Sequence, residues 1–158
     1  MPIDLTDVRE GLSTTVPMIA TLGITFEDLS YDRAVLVLPD AAEYHNHIGG
    51  LHAGAMFTLA ESATAAIIFA NFGDIPDVVT PLAVEATIRY LKVAMGPVTA
   101  VATMETPRDE ILQTVAAGRR PEFTIAIELS TGDGTDRLVT GAMSVLWTLR
   151  LVRRDSDA

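Results

Sequence analysis

A long apolar stretch, residues 51–72, constrains the fold of this chain more than any other feature. Its composition predicts one helix that is apolar on almost every side, and such a helix has to be buried all round. Scattered polar residues interrupt the stretch, which indicates a buried helix rather than a membrane span; they include His52, Thr58, Glu61, Ser62 and Asn71. A strongly curved antiparallel sheet can wrap a helix of this kind.

The segments on either side of the stretch predict the strands of that sheet. Residues 5–22 have the apolar spacing of a helix broken near Pro17, and a short surface helix is predicted over 109–117, stopped by Gly118. Alternating or strand-like composition predicts six strands, over 24–30, 33–38, 82–90, 98–104, 123–129 and 137–150. A hairpin turn is predicted over 132–134, and the charged tail 153–158 is predicted to be frayed. The fold class is therefore α+β, in a single domain that spans residues 1–158.

Composition limits the possible functions. A length of 158 residues, 49% of them hydrophobic and 20% charged, suits one soluble globular domain. The formal net charge of −10 argues against nucleic-acid binding, and it leaves only 11 lysines and arginines to contact anions. The chain has no cysteine, which excludes disulfides and thiolate nucleophiles. No signal-peptide pattern is recognisable, so we expect a cytoplasmic protein with no membrane partner.

The polar, glycine-rich segment that leads into the long helix carries the strongest functional signal. Gly49, Gly50 and Gly54 allow backbone to approach a ligand closely, and the start of a helix offers unpaired N–H groups to a developing negative charge. Glu61 follows two turns later, although ionised carboxylates are rarely buried unless they are paired or take part in chemistry. An electrophile-polarising end and a carboxylate on one helix suit acyl chemistry.

These motifs resemble the hotdog-fold superfamily, in which a curved antiparallel sheet wraps one central helix. The resemblance is sharpest to the PaaI-like acyl-CoA thioesterases and to the related, uncharacterised thioesterase-like (DUF4442-type) branch. It covers about residues 16–150, and the residues that carry it are Asn46, Gly49, His52-Ala53-Gly54 and Leu59-Ala60-Glu61. Two positions depart from the family pattern. Ala53 replaces the first glycine of His-Gly-Gly, and Glu61 stands where PaaI-like proteins usually have aspartate.

The resemblance implies hydrolysis of an acyl-CoA or acyl-carrier-protein thioester, with Asn46, Gly54 and Glu61 as the catalytic residues. It also implies a site shared between two subunits, so we expect a homodimer at minimum and a tetramer of two such dimers. Helix geometry agrees with this expectation, because the nine residues from His52 to Glu61 span roughly 13 Å along a helix axis. No cofactor is expected beyond the coenzyme A of the substrate.

Eight further residues are candidates for substrate binding. His52, Ala53, Met56 and Phe57 lie at the start of the helix, where the acyl thioester is expected. The phosphates of coenzyme A need cations, and the available ones are Arg89, Lys92, Arg119 and Arg120. The histidines His45, His47 and His52 have no carboxylate at convincing ligand spacing, so we expect no metal site.

Each of these residues also has a simpler interpretation. Glu61 can be a structural ion-pair partner, Asn46 a turn residue, and Arg119 with Arg120 the cap of a helix C-terminus. Two other functions stay open. One is a hydratase or dehydratase of the same fold, because the fourteen-residue separation of His47 and Glu61 weakly resembles the loop histidine and helix glutamate of the fatty-acid dehydratase pattern. The other is a non-catalytic protein that binds an acyl ligand.

Overall fold

The computed structural model describes residues 3–152, which form four α-helices and one sheet of six strands. The predicted tail 153–158 lies outside the described residues. In chain order the elements are α1 (Leu5–Thr15), α2 (Pro17–Thr21), β1 (Thr25–Leu29), β2 (Arg33–Leu38), α3 (Ala53–Phe72), β3 (Val79–Tyr90), β4 (Val98–Met104), α4 (Arg108–Ala116), β5 (Glu122–Thr131) and β6 (Leu138–Leu151).

The sheet has the strand order β1-β2-β4-β5-β6-β3, and every neighbouring pair is antiparallel. Its concave face packs on α3, whose Leu59, Ala63 and Ile67 are fully buried. Alternate residues of β4 and β5 are buried, as expected for strands with one face on a core. The predicted α+β hotdog architecture, with a sheet wrapped around one central helix, is confirmed.

The predicted element boundaries are close to those observed, apart from β3. The first helix is broken at Pro17 as predicted, and α4 ends one residue before the predicted end, ahead of Gly118 at φ 69°. The predicted hairpin turn at 132–134 is instead followed by a short 3₁₀ turn over 134–136. These differences leave the topology unchanged.

Strand β3 begins at Val79, three residues earlier than predicted, and its alternation changes phase within the strand. The pairing with β6 shifts between Ala83 and Glu85, so Val84 occupies a β-bulge. After the bulge, Ala86 and Ile88 pair with the buried Val145 and Met143. The predicted single alternation from Leu82 to Tyr90 is therefore wrong on the N-terminal side of the bulge.

Hydrogen bonds from a few polar side chains fix the position of α3. The hydroxyl of Thr64, which is fully buried, accepts a hydrogen bond from Trp147 Nε1 at 3.1 Å and so ties the helix to β6. At the C-terminal end, Asn71 donates to the carbonyl oxygen of Tyr31 at 2.5 Å, and Arg108 Nε donates to the carbonyl oxygen of Asn71 at 2.7 Å. The middle and the C-terminal end of the helix are thereby held by groups outside it, which limits its rotation.

By length and composition α3 could cross a membrane, since it has 20 residues and a mean hydropathy of 1.5 over its most apolar window. More than half of that window, 56%, is buried inside the protein. The sheet already surrounds the helix, which agrees with the prediction of a buried core helix.

The sheet order leaves β1 and β3 at its two edges. Edge strand β3 is twelve residues long, and three of its large apolar side chains are exposed: Leu82, Val84 and Tyr90. A long edge strand with exposed apolar side chains is a surface on which another strand can pair.

Candidate active site

The loop before α3 is ordered around the side chain of Asn46. Its Oδ1 accepts hydrogen bonds from the backbone N–H groups of Ile48 at 3.0 Å and Gly50 at 3.1 Å, while its Nδ2 donates to the carbonyl oxygen of Leu51 at 3.3 Å. Gly49 adopts φ 80°, a conformation that favours glycine. The predicted turn role of Asn46 is confirmed, and one N–H of its amide remains for a ligand.

The loop is also held by a side-chain pair that the sequence did not reveal. His45 Nε2 lies 2.5 Å from Asp40 Oδ1, and the backbone of His45 bridges to Leu51. A Cβ on the buried Gly50 would lie 2.8 Å from the carbonyl oxygen of Ala94 and 2.8 Å from Cγ1 of Val93. The loop is therefore fixed against the segment that follows β3, and only glycine fits at this contact.

His52 caps the N-terminus of α3. Its Nδ1 accepts a hydrogen bond from the backbone N–H of Gly54 at 2.9 Å, so the proton of the neutral ring lies on Nε2. At this helix start, where we expected unpaired N–H groups, the N–H of Gly54 therefore already donates to His52. A Cβ on Gly54 would lie 3.1 Å from this ring nitrogen, which explains why a glycine suits the position.

A cleft of about 340 Å³ opens beside this helix start. Its wall combines the loop, the first turn of α3 and the segment that ends β3, and it includes Asn46, Ala53, Met56, Tyr90 and Lys92. The hydroxyl of Tyr90 donates a hydrogen bond to the carbonyl oxygen of Ala53 at 2.9 Å and so joins the end of β3 to the start of α3. Sequence reasoning placed Tyr90 only at the end of a strand, because this contact spans 37 residues.

Glu61 lies on α3 three residues before Thr64, and residues three apart on a helix are neighbours on its surface. The hydroxyl of Thr64 contacts Trp147 of β6, the strand that pairs with edge strand β3. It is half-buried, and burial raises the pKa of its carboxyl above the ordinary value of 4.5. Within residues 3–152 no cationic side chain pairs with Glu61 and no donor hydrogen-bonds to its carboxyl group. Among the described residues Glu61 therefore has no ion-pair partner, as its structural interpretation would require.

The structure places the remaining candidates at four different locations. Met56 and Lys92 share the cleft with Asn46 and Ala53, whereas Phe57 packs against the hydrophobic core. Arg89 and Arg119 are exposed, and Arg120 lines a second cleft beside the start of β3. Ten residues of extended β3 separate Thr80, in that second cleft, from Tyr90, or about 33 Å. The two clefts of one subunit thus lie at opposite ends of the edge strand.

Among residues 3–152 no group of three histidine, aspartate or glutamate side chains is placed to hold a metal ion. His45 pairs with Asp40 and His52 caps α3, so two of the three histidines have structural contacts.

The fold and this site define a thioesterase-like hotdog protein, and comparison with known proteins specifies the branch. The family model described as "Domain of unknown function (DUF4442)" matches residues 7–147, so the chain belongs to the DUF4442 family, as its motifs predicted. No curated protein matches the chain.

Three solved structures are similar to nearly the whole chain. The protein of unknown function PA5026 from Pseudomonas aeruginosa, described as a probable thioesterase, is 25% identical with a TM-score of 0.82, covering 96% of this chain and 98% of that one. A thioesterase family protein from Silicibacter pomeroyi is 19% identical with a TM-score of 0.74, covering 94% and 99%. The PaaI protein of the phenylacetic acid degradation operon of E. coli is 16% identical with a TM-score of 0.69, covering 90% and 91%.

Proposed function

We propose that the protein is a thioesterase that hydrolyses an acyl-CoA or acyl-carrier-protein thioester at a site built between two subunits. The observation that carries the proposal is the half-buried carboxyl of Glu61, which has a raised pKa and no partner among the described residues. A half-buried carboxyl without a partner is less stable in its ionised form, so a role in chemistry explains its presence better than a role in packing.

The start of α3 is suited to the thioester carbonyl. The positive end of the helix dipole and the N–H of Gly54 would stabilise the oxyanion that forms when the carbonyl is attacked. Because the N–H of Gly54 donates to Nδ1 of His52, the substrate oxygen would have to replace this ring nitrogen as the acceptor. The second amide N–H of Asn46 would orient the thioester or the attacking water.

Glu61 would act on the opposite side of the carbonyl, either as a general base on water or as a nucleophile that forms a mixed anhydride. In both routes the C–S bond breaks, one water molecule is consumed, and the products are a carboxylic acid and a thiol. The acyl group would lie against Met56, which is buried yet lines the cleft.

The proposal includes two subunits because Glu61 lies roughly 13 Å from His52 along the axis of α3. One subunit therefore cannot place both the helix start and Glu61 at a single carbonyl group. Pairing of the exposed β3 edges would cover Leu82 and Val84 and would bring Glu61 of the partner subunit toward the helix start of the first. We propose a homodimer of this kind in the cytoplasm, with a tetramer formed by two such dimers.

The raised pKa of Glu61 predicts the acidic side of the activity profile. The carboxylate is the active form in both routes, and burial disfavours it, so kcat/KM should rise with pH through a pKa above the ordinary 4.5 and then level off. Steady-state rates across the acidic range check this prediction. An acidic limb centred at or below 4.5 would contradict it.

A thiol-release assay over acyl-CoA substrates of different chain length tests the proposed function. Thiol release that scales with enzyme concentration supports a thioesterase. Loss of enoyl absorbance without thiol release would instead indicate a hydratase, and saturable binding without turnover would indicate an acyl-ligand binder.

A further inference from the structure

The second cleft, at the rim of the sheet, is an arginine site that the proposed chemistry does not use. It has a volume of about 750 Å³ and lies where β3 begins, β6 ends and the chain leaves α4. The described residues that line it are Thr80, Gly118, Arg120, Arg150, Leu151 and Val152. Its size is within the range of sites for cofactor-sized ligands.

One of the two arginines is held in place by a buried hydroxyl. Arg120 Nε donates to Thr148 Oγ1 at 3.0 Å, and that hydroxyl, which is fully buried, donates to the carbonyl oxygen of Pro121 at 2.7 Å. The bond fixes the plane of the guanidinium and leaves the N–H groups of both Nη atoms for a ligand.

The cleft is cationic and unpaired in a protein of net charge −10. Within the described chain neither Arg120 nor Arg150 forms a salt bridge, whereas Arg33, Arg108 and Arg137 all do. Among residues 3–152, none of those that line the cleft is acidic. Two nearby guanidinium groups without counter-charges suit a ligand with more than one phosphate.

We propose that the Arg120–Arg150 cleft binds the phosphate groups at the nucleotide end of coenzyme A. This inference rests on the proposed function and on its dimer. In an antiparallel pair of β3 strands, the end that begins at Val79 lies beside the end that finishes at Tyr90 in the partner. The arginine cleft of one subunit would then serve a thioester held at the helix start of the other, although the two clefts are about 33 Å apart within one chain.

Calorimetric binding of free coenzyme A to the protein tests the assignment. We expect Arg120→Ala and Arg150→Ala each to weaken binding about tenfold, and the double variant to weaken it further. Arg137→Ala removes the same charge from a surface ion pair with Glu128 and should bind coenzyme A like the wild type. Unchanged melting temperatures in the variants establish that the loss is not one of folding.

Other ligands distinguish a coenzyme A site from a general anion site. Dephospho-coenzyme A and inorganic phosphate should both bind more weakly than coenzyme A, and hydrolysis of acyl-pantetheine should be unaffected by the double substitution. Inorganic phosphate that binds as tightly as coenzyme A, or a loss confined to Lys92→Ala, would overturn the assignment. If the variants weaken coenzyme A binding in a protein that never releases thiol, the site stands and the proposed catalysis fails. If thiol release is intact while the variants bind coenzyme A normally, the catalysis stands and the site fails.

Discussion

Replacing Glu61 by glutamine should lower turnover by roughly 10²–10⁴-fold while the protein stays folded. The amide keeps the volume of the side chain but can act neither as a base on water nor as a nucleophile. Because no cation among residues 3–152 depends on Glu61, the substitution strands no buried charge. Thiol release and the melting temperature, measured on one preparation, check both parts of the prediction.

The pH dependence of stability gives this variant an internal control. Burial raises the pKa of Glu61 in the folded protein above the ordinary value of 4.5. The free energy of unfolding therefore decreases as the pH rises from 4.5 through the raised pKa, because the folded protein resists ionisation of this carboxyl. Glu61→Gln should therefore melt at a higher temperature than the wild type at neutral pH, and the difference should vanish near about pH 4, where the carboxyl is neutral in both states. A glutamine variant that is active but clearly less stable at neutral pH would show that Glu61 is structural.

Replacing Val84 by glutamate should dissociate the dimer and remove most of the activity. Val84 is 49% exposed in the bulge of edge strand β3, so a single subunit can accommodate a charge there. An isologous contact brings the same residue from both subunits into the interface, and opposed like charges cost several kcal/mol. A cost of about 3–4 kcal/mol shifts the monomer–dimer equilibrium by about 10²–10³-fold.

Sedimentation and thiol release at matched concentrations check the Val84→Glu prediction. Met18→Glu is the matched control, since Met18 is an exposed apolar residue on α2 that is 52% accessible and lies away from β3. It should retain the oligomeric state and the activity of the wild type. A Val84→Glu protein that is monomeric and fully active would refute the shared site.

Local signals in the sequence were sufficient to predict most of the fold. The apolar character of residues 51–72 required a wrapped helix, and Pro17 marked the break between α1 and α2. Strand β3 was harder, because Pro81 argues against a strand interior and is tolerated here by an edge strand. The bulge at Val84 depends on how β3 pairs with β6, which no local pattern encodes.

Sequence reasoning identified the ends of the candidate site but not the contacts that complete it. Gly54 and Glu61 stood out from the glycine-rich loop and from an isolated carboxylate on an apolar helix, whereas Asn46 stood out through the resemblance to hotdog thioesterases. The catalytic roles of all three stay predictions. The His52 cap on Gly54 and the Tyr90 contact with Ala53 depend on side-chain directions in the folded chain. Arg150 joins Arg120 in one cleft only because β6 ends beside the loop after α4.

Mixing two inactive variants tests the central claim most directly. Asn46→Asp keeps the oxygen that orders the loop but loses the amide donor, and Glu61→Gln loses the base; each homodimer should be inactive. In an equal mixture, half of the dimers are heterodimers, and a site shared between subunits is intact once in each of them. The account predicts that unfolding and refolding the mixture restores roughly a quarter of wild-type thiol release. A mixture that stays as inactive as its components, while forming heterodimers, would contradict a site that joins Asn46 of one subunit to Glu61 of the partner subunit.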